Sequence, residues 1–424
     1  MRTAPLRHLA DVRTSSVDKH THRGELPVQL CNYTDVYRND KVRPGPDLMR
    51  ATASSEEVAR FRLKVGDSVL TKDSEDPNDI GVAAHVAETA SDFVCGYHLA
   101  IVRPSPGTHP RYLTWALRSR PVLDHFSNHA SGISRYGLTS AGLRAAPVPW
   151  HDELGQRRIA DFLDDRVAHI DQIITARRLQ MSLLAERANR ESFDAITGAA
   201  ISCRRDSGLK WLGSIPEQWP VLPVAKEFQV DLGKMLDEKR QTGASAVPYL
   251  RNTNVQWDRV DVTDLKRMDI PLAERDRYCV RAGDLLICEG GHPGRAAIWS
   301  GGITILGYQK ALHRARSRGR SRPDWLLECL RVATNLNVFA IENEQTTIGH
   351  LTHEQLRAMR FPFPEQEMQS QIIDELSRRR AELNDLLGVL GTSIDTLSEY
   401  KQALITAAVT GELDVTTAGS GIPG

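Results

Sequence analysis

The chain repeats part of itself without a gap. Leu138, Thr139, Leu143, Arg144 and Pro149 recur as Leu351, Thr352, Leu356, Arg357 and Pro362, each shifted by 213 residues. The same shift relates Gln156 to Gln369, Ile159 to Ile372, Asp161 to Asp374, Leu163 to Leu376 and Arg166 to Arg379. It still holds at Leu184 and Leu397, and at Thr197-Gly198 and Thr410-Gly411. A match of that length marks a duplication, so the chain is two copies of one unit. Upstream the copies agree only at anchors. Gly66-Asp67-Ser68-Val69-Leu70 resembles Gly283-Asp284-Leu285-Leu286-Ile287, and Tyr112-Leu113 resembles Trp325-Leu326. Each copy is thus a variable globule followed by a better-preserved tail.

The tails carry a helical period. Ile159, Phe162, Leu163, Val167, Ile170, Ile173 and Ile174 follow one another at spacings of mostly three and four, as do Ile372, Ile373, Leu376, Leu383, Leu386, Leu387 and Leu390. That spacing predicts an amphipathic helix. Asp152, Glu153, Glu365 and Glu367 suit the positive end of the helix dipole, and Gly198 and Gly411 suit the stops. Neither segment contains an internal proline. At 1.5 Å per residue, roughly 45 residues give a rod of roughly 65–70 Å. An apolar stripe that long must be covered. The expected cover is the other rod, packed antiparallel as a coiled coil with the globules related by a pseudo-twofold axis; the alternative is that each helix packs separately on its own globule.

The globules read as mixed α+β. Short β-rich runs such as FRLKVGDSVLT and RYCVRAGDLLIC are bounded by Gly, Asp and Pro, without the regular alternation of a doubly wound sheet. The expected organisation is a globule at 1–150, a helix at 151–199, a second globule at 205–364, a helix at 365–412 and a tail at 413–424. The stretch SGLKWLGSIPEQWPV leads into the second globule, and the first shows no obvious equivalent.

Composition excludes more than it selects. Lys plus Arg equals Asp plus Glu at 54 each, so a surface for phosphates has to come from local charge separation. The cysteines Cys31, Cys95, Cys203, Cys279, Cys288 and Cys329 form no C-x-x-C pair and read as free thiols of a cytosolic protein. There is no signal peptide and no stretch of about 20 apolar residues, so neither export nor a membrane is expected. A P-loop, a G-x-G-x-x-G turn and the Asn-Pro-Pro-aromatic motif of amino-methylating DNA methyltransferases are all missing. Asp237-Glu238-Lys239 as a nuclease cluster, and His350 with His353 as a metal pair, are weaker than their bland readings as surface charge. The duplication places Gly137 and Ser140 opposite the two histidines.

What remains is chemistry suited to reading DNA, which needs cations for phosphates and amide or guanidinium forks for base edges. Arg251, Asn252 and Asn254 form a polar set after an apolar run, with Asn32 and Tyr33 as counterparts. The glycine-rich loop with His292 and Arg295 follows a predicted strand, and its counterpart carries Lys72 and Asp73. Ser134, Arg135 and Tyr136 precede the first long helix, as Thr346, Thr347 and His350 precede the second. Gln309 and Lys310 lead into a basic run in which Arg314 and Arg316, and then Arg318, Arg320 and Arg322, fall on one side if the segment is extended. That run reads either as a phosphate-gripping edge or as a solvated basic loop. Turn formation by Asn and Thr would also explain the first set.

These features together resemble the specificity subunits of type I restriction-modification systems. The carriers are SGLKWLGSIPEQW, the two Gly-Asp strands, VPWHDELGQRRIADFLDDRVAHIDQII, FPFPEQEMQSQIIDELSRRRAEL and the ending ALITAAVTGELDV. The resemblance implies two target recognition domains reading the halves of an asymmetric, interrupted site on double-stranded DNA. It implies helices that set the spacing and dock two methyltransferase (M) subunits, with restriction/translocase (R) subunits joining for cleavage. It implies no catalysis by this chain and no cofactor on it: S-adenosylmethionine, ATP and Mg would belong to the partners. A coiled-coil scaffold that reads no bases is the rival reading.

Overall fold

The computed structural model describes residues 2–236, 242–341 and 350–417. They form two compact units. Unit 1 comprises Met1–Arg178 with Gly391–Gly424, and unit 2 comprises Leu179–Leu390. The boundary differs from the one drawn on the sequence. Each unit takes in half of each long helix, because a helix half buries its stripe against the nearest globule and against the other helix together.

In unit 1 a five-stranded sheet has the order Ala10–Thr14, Leu99–Pro104, Ser68–Thr71, Ala83–Val86, Lys41–Val42. A three-stranded sheet has Leu26–Cys31 at its centre, antiparallel to Met49–Ala53 and parallel to Phe93–Cys95. The central strands are apolar on both faces, as strands buried on both sides must be. Side chains alternate between faces: Leu99, Ile101 and Val69 enter the core shared with the three-stranded sheet, while Ala100, Val102 and Leu70 enter the core against the helices.

Unit 2 repeats the plan. Its larger sheet has the order Phe228–Leu232, Leu312–Ser317, Leu285–Cys288, Ala296–Ile298. In its three-stranded sheet, Ala246–Leu250 is antiparallel to Lys266–Asp269 and parallel to Gly307–Tyr308. The faces alternate likewise, with Leu285, Ile287 and Ala315 toward the helices and Leu286, Cys288 and Leu312 toward the smaller sheet. The lead-in to unit 2 ends in Val221–Pro223, which pairs with Arg360–Pro362. Unit 1 does have the equivalent of that strand: Thr3–Pro5 pairs with Pro147–Pro149.

The long helices span Glu153–Thr197 and Gln366–Thr410, 45 residues each. In unit 1 the first half of one packs with the last half of the other. Ile159, Leu163, Val167, Ile170 and Ile174 share a core with Leu404, Ile405, Ala408 and Val409, and Lys401 Nζ donates to Asp171 at 2.7 Å. In unit 2 Ile196 shares a core with Ile373, and Arg380 donates to Ser192 Oγ at 3.2 Å. The pairing is antiparallel in each unit, and each helix also packs on its globule, so the two packings expected as alternatives occur together.

A buried glutamine opens each helix. Gln156 donates to the His151 carbonyl at 2.8 Å and accepts from the His109 amide at 2.7 Å; Gln369 donates to the Pro364 carbonyl at 2.7 Å and accepts from the Arg322 amide at 2.9 Å. Both are fully buried. Gly198 and Gly411 close the helices in the left-handed region, with φ of 60° and 79°. At Gly198 a Cβ would stand 2.6 Å from Pro216, so both backbone and space require glycine there. Among the described residues no helix is long and apolar enough to cross a membrane.

Candidate nucleic-acid interface

A duplicated backbone scaffold holds the candidate loops. In unit 1 the Lys72 amide donates to the His98 carbonyl at 3.0 Å, the Leu138 amide to the Lys72 carbonyl at 2.8 Å and the Gly96 amide to the Cys31 carbonyl at 2.8 Å. In unit 2 the Glu289 amide donates to the Ala311 carbonyl at 3.0 Å, the Leu351 amide to the Glu289 carbonyl at 2.7 Å and the Gln309 amide to the Leu250 carbonyl at 2.9 Å. These bonds tie together segments far apart in sequence. Loops picked out separately in each copy therefore form one surface per unit.

Different side chains stand on the two scaffolds. In unit 1, Lys72 Nζ lies 2.9 Å and His98 Nδ1 3.0 Å from Asp73 Oδ2, and the Arg135 guanidinium lies 3.3 Å from His98 Nδ1. Partial burial pushes the Asp73 carboxyl up, but His98 and Lys72 outweigh it and hold the group below the usual carboxylate range. Lys72 Nζ sits 4.7 Å from the Tyr97 ring centre, and Tyr33 meets His98 edge-on at 6.0 Å. Asp73–Ser74 pairs with Tyr136–Gly137, which brings Tyr136 to the same edge; Ser134 is exposed beside it. Asn32, Tyr33, Met49, Tyr97 and His98 line a cleft of about 430 Å³. Cations, amide and aromatic faces on one rim are the groups that grip phosphates and base edges.

In unit 2, Arg295 donates to the Asn252 carbonyl at 3.1 Å and so fastens the glycine-rich loop to the 251–254 segment. His350 lies against Gly290, where a Cβ would stand 2.9 Å from its Nδ1. His292 and Lys310 are exposed and Gln309 is half-buried. The Lys310 amide donates to the Lys234 carbonyl at 3.0 Å. Among the described residues no three His, Cys, Asp or Glu side chains group as metal ligands. Thr346 and Thr347, and Asp237-Glu238-Lys239, lie outside the described residues.

Four candidates are framework. Arg314 is fully buried; it donates to the Asp276 and Cys279 carbonyls at 3.0 and 2.8 Å and to Asp231 at 2.6 Å. It cannot reach a phosphate. Arg316 is bound at 2.7 Å through two nitrogens to Asp284, and unit 1 repeats this pair as Arg103 and Asp67 at 2.7 and 2.6 Å. The strand does put Arg314 and Arg316 on one side, but it is the inner side, and the strand ends at Ser317 before the remaining arginines. Asn254 is buried and closes a turn by accepting from the Arg251 amide at 2.9 Å, as Asp35 accepts from the Asn32 amide at 2.8 Å. Arg251 itself donates to Asp264 at 2.6 Å.

Two side chains were not singled out from the sequence, Tyr97 and His98. The duplication held the signal: Tyr97 stands 213 residues before Lys310, which was singled out. Lys234, which meets Glu274, was likewise not singled out; it stands where unit 1 has Val17, the Tyr97 amide donating to the Val17 carbonyl as the Lys310 amide does to the Lys234 carbonyl.

No protein-family model matches the chain, and no curated protein matches it. Solved structures do. A chain from a type I R-M system, reported for its complex assembly and conformational transition, matches over 97% of this chain and 98% of its own at 16% identity and a TM-score of 0.67. The HsdS subunit from Thermoanaerobacter tengcongensis matches over 97% of each chain at 14% identity and a TM-score of 0.51. The chain has the type I specificity-subunit fold. At such identities this S-subunit fold is a likeness of backbone course. It agrees with the feature seen inside the chain itself: one scaffold, kept twice, under dissimilar side chains.

Proposed function

We propose that this chain is the non-catalytic specificity subunit of a type I restriction-modification complex. Each globule reads one half of an asymmetric, two-part target on double-stranded DNA. The observation carrying this reading is the pair of loop clusters held by matching backbone bonds but furnished differently, Lys72, Asp73, His98 and Arg135 in one and Asn252, His292, Arg295 and Lys310 in the other. A scaffold kept while its side chains diverge suits two readers of unlike base sequences, with each good bidentate contact supplying about 1–3 kcal/mol of discrimination.

The long helices set the number of unread base pairs between the half-sites and dock two methyltransferase subunits, with restriction/translocase subunits joining for cleavage. Leu179, Leu183, Leu386 and Val389 support the docking: all are large, apolar and 44–66% exposed on helix surface within unit 2. S-adenosylmethionine, ATP and Mg act on the partners. The test is selection from a random duplex pool by the chain assembled with its methyltransferase partners. An enriched motif in two parts is expected, and no enriched motif would leave a protein scaffold. Deleting four residues from one long helix, about one turn, should change the tolerated spacer or abolish assembly; unchanged spacing with full activity would remove the ruler.

A further inference from the structure

Unit 1 has a second concave surface beside its reading cleft, a groove of about 670 Å³. The helix Tyr33–Arg38 separates the two: Tyr33 lines the cleft, and Tyr37 and Arg38 line the groove. The floor of the groove is neutral. Lys401 lies 2.7 Å from Asp171 and 3.5 Å from Asp40, and Asp40 also accepts from Arg118. Two carboxylates and two cations therefore cancel.

The rim is not neutral. Arg38, Lys41 and Arg178 are exposed and take part in no ion pair among the described residues. No rim carboxylate opposes them, and the neutral rim groups are tied to the backbone: Thr175 Oγ1 donates to the Asp171 carbonyl at 2.7 Å, Ser398 Oγ to the Ile394 carbonyl at 2.8 Å and Gln402 Nε2 to the Arg118 carbonyl at 2.9 Å. The three exposed, unpaired cations are therefore what the rim offers, and such cations are the usual partners of phosphate oxygens.

We propose that this groove grips the sugar-phosphate backbone of duplex DNA next to the half-site read by unit 1, without regard to its sequence, through Arg38, Lys41 and Arg178. The inference rests on the reading of unit 1 as a DNA reader. Its cations add affinity and salt dependence and leave the preferred bases alone.

The experiment uses the full chain assembled with its methyltransferase partners and a 40-base-pair duplex lacking the selected motif. In the Arg38→Gln/Arg178→Gln double variant the slope of log affinity against log salt should fall by about 2, with the selected motif unchanged. Thr175→Lys, which adds a cation on the same rim, should steepen it by about 1; this gain keeps the proposal open to refutation should the double variant fold poorly. A wild-type slope in both variants beside an intact motif overturns the groove alone. Failure of the wild-type complex to enrich any motif overturns instead the reading of unit 1 on which the groove rests.

Discussion

The two units share a set of buried bonds beneath their loops and carry different side chains on the loops themselves. Beneath the surface, Asp67 with Arg103 and Asp284 with Arg316 make the same two-pronged pair, and the carboxylates are 1% and 2% exposed. Tyr112 donates to the Pro149 carbonyl and Trp325 to the Pro362 carbonyl, both at 2.8 Å. On the loops, Lys72 faces Glu289 across the alignment and Tyr97 faces Lys310. Packing tolerates little change in a buried bond, whereas a solvated loop tolerates any side chain. Some buried positions differ as well, His313 and Arg314 standing where unit 1 has Ala100 and Ile101, but it is the exposed divergence on each loop cluster that a ligand can meet.

The comparison breaks most visibly through the shared carboxylates. Asp67→Ala and Asp284→Ala each leave a half-buried arginine without its partner and should cost about 3–5 kcal/mol, at the lower end because each arginine keeps some solvent. Denaturant unfolding followed unit by unit should give similar losses; a large loss in one and none in the other would mean that the pairs are not equivalent.

The next effect separates the units. His313 of unit 2 stands where unit 1 has Ala100. It is fully buried, and burial pushes its imidazole down to about 4, from an ordinary value near 6.5. The folded state keeps it neutral while the unfolded state takes up a proton below pH 6.5. Its contribution is therefore intact above about pH 6.5 and lost as pH falls toward 4, by about 3 kcal/mol at most. Segment-resolved hydrogen exchange should show unit 2 loosening before unit 1 over that window. Equal loosening would assign the acid sensitivity elsewhere.

Base reading should also divide. His98→Ala and Arg135→Ala are expected to relax one half of the selected motif by about 1–3 kcal/mol per lost contact, and Arg295→Ala the other half. Relaxation of both halves by one variant would dissolve the division of labour. The smallest effect sharpens the correction to the basic run: Lys310→Ala should lower the salt slope by about 0.9, while Arg314→Ala, whatever it does to folding, should leave the slope of the folded protein unchanged.

Much of this was legible beforehand. The duplication, the α+β globules and the two 45-residue helices follow from residue spacing alone, because apolar period and internal repetition are local properties. The loops near Lys72, Arg135, Asn252 and Arg295 were legible for the same reason, since glycine and polar clusters mark turns. Arg314 and Arg316 were misplaced because alternation says that two side chains share a face but not which face. The inner side was decided by Asp231 and Asp284, which lie 83 and 32 residues away.

The amino-acid order by itself determined what is periodic: two copies, each a globule with a long striped helix, and the loops between strands. Tertiary structure alone decided which charges are spent. An arginine beside a distant aspartate in a low-dielectric interior is a structural bond, while the same residue on an open rim is free to meet a phosphate. Only the folded chain brings those distant partners within reach, so only there do Arg314 and Arg38 become different kinds of residue.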